Sequence, residues 1–221
     1  MDSFASNSHL KEFQGHALEI IDNNKTITIK RFKSEKCGKQ LIDVDLTFGG
    51  SYASQKVSSE CKKTFITTLG LLQPMHLYKG VKTVAELEVL SHIKKVVQDS
   101  DKFILIDART KEWYDQMTIP MSVNLPYNEI HSEDIEDMED DEDIAEFNHM
   151  IKILGIVNSR GYLNFTRAKI ALIFCNGSWC SQSSKFIMKL INMGYPEDKL
   201  LWYRGGVQDW LVSGFTVTKG K

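Results

Sequence analysis

The stretch Lys169–Met193, KIALIFCNGSWCSQSSKFIMKLINM, decides how this chain is to be read. Lys169 to Phe174 is a short, nearly unbroken apolar run, as expected of a strand covered on both faces. Ser183 to Met193 has helical spacing, with Phe186, Ile187, Leu190 and Ile191 on the inward face and Gly194 placed to end it. Leu200 to Tyr203 is a further strand, and Gly205-Gly206 turns the chain into a last helix, Val207 to Val212. Strand, helix, strand and helix with short joints predict a parallel α/β sheet.

Upstream the same alternation continues. Thr83 with Glu86 three residues later predicts a capping box, and Val84, Leu87, Leu90, Ile93 and Val97 follow with helical spacing. Lys102 to Asp107 is a buried strand ending in a carboxylate. Glu112-Trp113-Tyr114 predicts a short helix, and Val123 to Pro126 a second short strand. Glu133 to Asp143, EDIEDMEDDED, reads as a solvated loop carrying helix-start charges. The glycine and glutamate positions of a calcium-binding loop are missing from it. Glu146 to Ile156 is an amphipathic helix.

The first third has a different texture. Two β-rich runs in Ala17–Phe32 flank the turn signal Asp22-Asn23-Asn24, and Thr26 to Lys30 alternates polar and apolar residues. Leu41 to Phe48 alternates too, and Cys61 to Leu72 is ambiguous. The expected division is a β-rich domain or extension over residues 1–80, followed by an α/β domain over residues 81–221.

Composition narrows the function classes. A formal charge of -2 gives no global basic footprint for nucleic acid. No apolar run approaches the roughly 20 residues of a membrane helix. The opening MDSFASNSHLKEF has no charged-then-apolar signal layout, so the chain is cytosolic or follows a removed leader.

The chemistry centres on Cys175, at the end of the KIALIF strand. In open α/β sheets ligands bind beyond the carboxyl ends of strands. Backbone N–H groups of the short loop Asn176-Gly177-Ser178-Trp179-Cys180 can converge on one centre, helped by the positive end of the next helix. A thiol there is expected to have a lowered pKa and to be nucleophilic. The rival reading is an inert buried thiol.

Several ordered pieces then resemble the rhodanese (sulfurtransferase) family. They are Leu105-Ile106-Asp107-Ala108-Arg109, Trp113, Thr118 to Pro126, Ile173 to Gly177, Gly194-Tyr195, and Trp202 to Trp210. Their order and spacing match over about Thr83 to Thr218. The loop looks most like the C-N-G-x-x-C subgroup, whose members are often exported with a cysteine-containing β-rich region ahead of the rhodanese domain. The resemblance implies a rhodanese-like open parallel sheet flanked by helices. It also implies that Cys175 attacks a sulfane sulfur donor such as thiosulfate. The resulting persulfide passes its outer sulfur to cyanide, a thiol or a protein acceptor, with no cofactor and no metal. The loop amides from Asn176 to Ser181 would stabilise the persulfide anion, and Asp107 and Arg109 would organise the strand end beneath the loop.

The chain departs from the family pattern in two places. Many active members carry an arginine or lysine five residues after the nucleophile, where Cys180 stands here; Ser183, Ser184 or Lys185 could compensate. Gly-His-Ile-Pro-Gly-Ala is altered to Met117-Thr118-Ile119-Pro120-Met121-Ser122, a change expected to matter for packing. A cysteine phosphatase needs an arginine six residues after the nucleophile. That position is Ser181, which argues against phosphatase activity. Cys37 and Cys61 lack zinc-ligand spacing. A non-catalytic module that binds a partner or senses redox state through Cys175 and Cys180 remains the alternative function. The two loop cysteines are also expected to be able to bond to each other. Cys37 and Cys61 are expected to form a structural disulfide, on which the resemblance implies a periplasmic or otherwise exported protein, with a cytoplasmic one as the alternative.

Overall fold

Strands that are apolar on both faces need cover on both sides, and two such strands hold the middle of this fold. The computed structural model describes residues 13, 17–22, 24–32, 70–128 and 141–220; of residues 141–143 it describes the backbone alone. The strands are β1 (Ala17–Asp22), β2 (Lys25–Lys30), β3 (Lys82–Val84), β4 (Phe103–Asp107), β5 (Ser122–Asn124), β6 (Val157–Ser159), β7 (Tyr162–Asn164), β8 (Ile170–Phe174) and β9 (Leu200–Tyr203). The helices are α1 (Glu86–Gln98), α2 (Lys111–Gln116), α3 (Asp141–Leu154), α4 (Gln182–Asn192) and α5 (Gly206–Val212). Cys37, Cys61, the Leu41–Phe48 run and residues 129–140, with most of the acidic run, lie outside the described residues.

The five strands β3-β9-β8-β4-β5 form one parallel sheet with β8 in the centre. Side chains alternate across it, as a two-residue period requires. Ala171 and Ile173 of β8 join Ile104 and Ile106 in one core, against the inner faces of α3 and α4. Leu172 and Phe174 join Leu105 in the other, against α1 and α5. The predicted α/β sheet flanked by helices is therefore present, with a small β-rich element ahead of it.

That element is the antiparallel β1–β2 hairpin, turned at Asn24 with φ +60°. Its Ile20 and Ile29 enter the α1–α5 core. The chain after it is tied to the far end of the domain: Phe32 N–H donates to Gly214 O at 2.9 Å, and Arg31 Nε to Ser213 O at 3.0 Å.

One local expectation is overturned. Thr83 is no N-cap; it lies in β3, paired with Trp202 of β9, and its hydroxyl donates to Met75 O. The sheet contact takes precedence over the capping signal. Helix α1 begins three residues later, at Glu86, with Ala85 as N-cap. Glu88 Oε2 accepts the Ala85 N–H at 3.1 Å, which is half a capping box, since alanine has no acceptor to complete it. Val84 is consequently a strand residue, Val96 takes the inward place and Val97 is exposed. The β6–β7 hairpin, turned at Arg160 and Gly161 with positive φ, was not predicted from its three-residue strands.

His92 shows how the core responds to acid. It is buried on α1, with Nε2 2.8 Å from Ile104 O. Burial lowers its pKa from 6.5 to about 4. The unfolded chain therefore binds this proton first, so the stabilisation is full above pH 6.5 and lost as pH falls towards 4. The expected loss over that interval is about 3 kcal/mol. Urea unfolding at the two pH values measures it, and His92→Gln should lose distinctly less. Equal losses in both proteins would show that His92 is not the group responsible.

Candidate active site

Cys175 follows the last residue of the central strand, and the loop after it is fixed by the start of α5. Cys175 O accepts the Val207 N–H at 3.0 Å, and Asn176 O the Gln208 N–H at 2.9 Å. This approach needs a glycine at 206. Its φ is +59°, and a Cβ there would fall 2.3 Å from Cys175 O and 2.7 Å from Gly177 N. Trp179 Nε1 donates to Gln208 Oε1 at 2.6 Å, tying the loop's outer edge to the same helix.

Beneath the loop lies a buried ion pair. Arg109 NH2 is 2.7 Å from Asp107 Oδ2, with side-chain exposures of 1% and 0%. Asp107 also accepts the Arg109 backbone N–H at 3.1 Å and the Thr118 hydroxyl at 2.7 Å. Arg109 NH2 reaches Met117 O at 2.5 Å, and NH1 lies 3.4 Å from Asn176 Oδ1. The altered Met117–Ser122 motif thus still closes on the strand end through Thr118. Met121, at the position of the family motif's second glycine, keeps a φ of +70°, a left-handed conformation that favours glycine.

The two loop cysteines are free thiols in the structure, buried to 1% exposure at Cys175 and 6% at Cys180. Cys175 Sγ donates to Cys180 O at 3.3 Å and accepts the Ser183 hydroxyl at 3.1 Å. Ser183 Oγ in turn accepts the Trp202 indole N–H at 3.0 Å. Cys180 Sγ donates to Gln182 Oε1 at 3.5 Å, and the backbone N–H groups of Gln182 and Asn176 and the Asn176 side chain favour its anion.

This arrangement corrects the expectation of an acidic thiol at 175. Burial, then the hydrogen bond and charge of Cys180, hold the Cys175 thiol well above its ordinary value. The neighbouring Cys175 thiol lowers Cys180 to about 6, against the opposing effect of burial. The two thiols titrate together, and the directions of their shifts favour an anion at Cys180 over one at Cys175. The loop amides are arranged accordingly. Those of Asn176 and Gln182 face Cys180, while the Cys180 N–H is occupied by Gly177 O at 2.9 Å.

The other predicted positions divide. Gly177 sits against Gln208 and Trp179. Ser178 O accepts the Gln73 N–H at 2.7 Å, and Ser181 O accepts the Lys185 N–H at 2.9 Å and the Ser184 hydroxyl at 3.0 Å. Of the three residues offered in place of the missing cation, Ser183 alone has a bond to the sulfur. Ser184 Oγ donates to Gln73 Oε1 at 2.9 Å, and Lys185 Nζ lies 5.9 Å above the Tyr127 ring. Sequence reasoning missed Gln73, which lies across the loop with its carbonyl held by Arg204 at 2.9 Å. Its contacts span more than 100 positions and left no local signal. Among the described residues, no group of His, Cys, Asp and Glu side chains is placed to hold a metal ion, and no helix is long and apolar enough to cross a membrane.

An open parallel sheet with a thiol in the loop after its central strand defines a thiol-centred α/β domain. The rhodanese-like domain pattern matches residues 83–213, more than half of the sequence, and the chain belongs to the rhodanese-like domain family. Two solved structures are similar. The BH2092 protein from Bacillus halodurans is 18% identical over 62% of this chain and 77% of its own, with a TM-score of 0.43. Thiosulfate sulfurtransferase from Pseudomonas aeruginosa is 16% identical over 64% of this chain and 21% of its own, with a TM-score of 0.39. No curated protein matches the sequence significantly.

Proposed function

We propose that the chain is a sulfurtransferase that carries sulfane sulfur on Cys175. The observation that carries the reading is the pair of buried thiols in the loop after the central strand of a rhodanese-like domain, with Cys175 Sγ bonded to the Cys180 carbonyl and the Ser183 hydroxyl. The Cys180 thiolate takes the Cys175 proton. The Cys175 thiolate then attacks the outer sulfur of thiosulfate, the sulfur–sulfur bond breaks and sulfite leaves with the electron pair. A thiol or cyanide acceptor attacks the outer sulfur of the persulfide and returns Cys175 as a thiolate.

The test is the intact mass after mixing with thiosulfate or with a low-molecular-weight persulfide. A gain of one sulfur atom from thiosulfate is the expected result. A gain from the persulfide alone identifies a carrier loaded by another thiol, for which the absence of an arginine or lysine at 180 is a reason. No gain from either donor overturns the reading in favour of a non-catalytic module. A second assignment, with sulfur on Cys180, is favoured by the lowered pKa of that thiol.

An exported location, with a Cys37–Cys61 disulfide in the β-rich segment, is part of the proposal. Peptide mapping of unreduced, rapidly alkylated protein should give the linked peptide. Free thiols at both positions in protein from its native compartment would sink it.

A further inference from the structure

We propose that Ser183 is a catalytic residue whose hydroxyl, aimed by the Trp202 indole, stabilises negative charge on the Cys175 sulfur in both halves of sulfur transfer. The inference rests on Cys175 being the sulfur carrier.

The direction of the bonds follows from the donor inventory. An indole N–H donates and cannot accept. Trp202 Nε1, 3.0 Å from Ser183 Oγ, therefore occupies an acceptor position on the hydroxyl. The single hydroxyl proton is left to point at Cys175 Sγ, 3.1 Å away. The Ser183 backbone N–H at the start of α4 also favours an anion on the same sulfur. All three side chains are buried, so water does not compete for these bonds. The thiol's own proton goes to Cys180 O at 3.3 Å. When that proton leaves, the Ser183 donors remain and acquire an anion to bind.

The role is the same in each direction. On loading, Cys175 Sγ attacks the sulfane sulfur as a thiolate. On discharge, the acceptor bonds to the outer sulfur, the sulfur–sulfur bond breaks and its electron pair returns to Sγ. Negative charge sits on Sγ at the start of one step and the end of the other, and the Ser183 hydroxyl faces that atom throughout. Trp202 touches no reacting atom and is a positioning residue.

The groups around Sγ keep the test clean. Cys180 faces it from the loop, and Ser183 from α4. On β9, Tyr203 OH is bonded to Glu86 Oε1 at 2.8 Å. Arg109, from the end of β4, is engaged with Asp107 and Asn176. The titration is therefore best read in a Cys180→Ser background, as thiolate absorbance near 240 nm minus that of the Cys175→Ser, Cys180→Ser protein. In that background Ser183→Ala should raise the Cys175 pKa by about one unit, and slow persulfide discharge to cyanide about tenfold. Trp202→Phe should move both in the same direction by less, and Ser183→Thr should restore them. An unchanged titration and discharge rate in folded Ser183→Ala overturns the proposal. If that variant does not fold, an unchanged Trp202→Phe overturns it instead. Sulfur uptake by Cys175→Ser at the wild-type rate would defeat the underlying site assignment, an outcome separate from the titration.

Discussion

Serine in place of Cys175 abolishes sulfur uptake from every donor, while serine in place of Cys180 leaves part of it. This is the largest effect expected of any single substitution here, because it removes the atom that forms the bond. Cys175 follows the central strand directly, and its sulfur is the one held by Ser183. Cys180 is the thiol whose pKa is lowered, so the Cys180 variant loses a proton acceptor but keeps the carrier. Its effect should depend on pH. Wild-type uptake should rise through about pH 6, as the Cys180 thiolate forms, and level off above it. The Cys180→Ser protein should lack that step and gain activity only as Cys175 itself ionises at higher pH. The measurement is intact mass against time at a series of pH values. Wild-type uptake by Cys175→Ser would move the carrier to Cys180.

Asp107→Ala is expected to cost about 3–5 kcal/mol of folding stability, measured by urea unfolding. The cause is what remains behind. Arg109 is 1% exposed, and without the carboxylate its guanidinium would be a buried charge with no counter-ion. The Thr118 hydroxyl and the Arg109 backbone N–H lose the same acceptor. Asp107→Ala combined with Arg109→Met should recover a large part of the loss, since replacing both members of a buried pair removes the uncompensated charge. A loss below about 1 kcal/mol in the single variant would mean that water or another acceptor takes over. Because Arg109 also reaches Asn176, the single variant should loosen the loop before the domain unfolds.

Periodicity and turn chemistry determined β4, β8, β9 and the helices α1 and α4, because each rests on contacts repeated every two to four residues. The same local pattern located Cys175 and Asp107 at strand ends, and the family resemblance put Asp107 beneath the loop. Thr83 was misread because its capping signal is local, while its place in β3 depends on β9, more than 100 residues away. The arrangement of the sulfurs had no such local signature. Asn176 and Gln182 face Cys180 because of the way the loop closes, and Ser183 meets Trp202 across 19 positions. A sequence can place a thiol near a helix start, but which of two thiols ionises depends on where the few donors point once both are out of water. Only the tertiary structure decides that, since a buried anion is stabilised by individual hydrogen bonds and not by the average character of its segment.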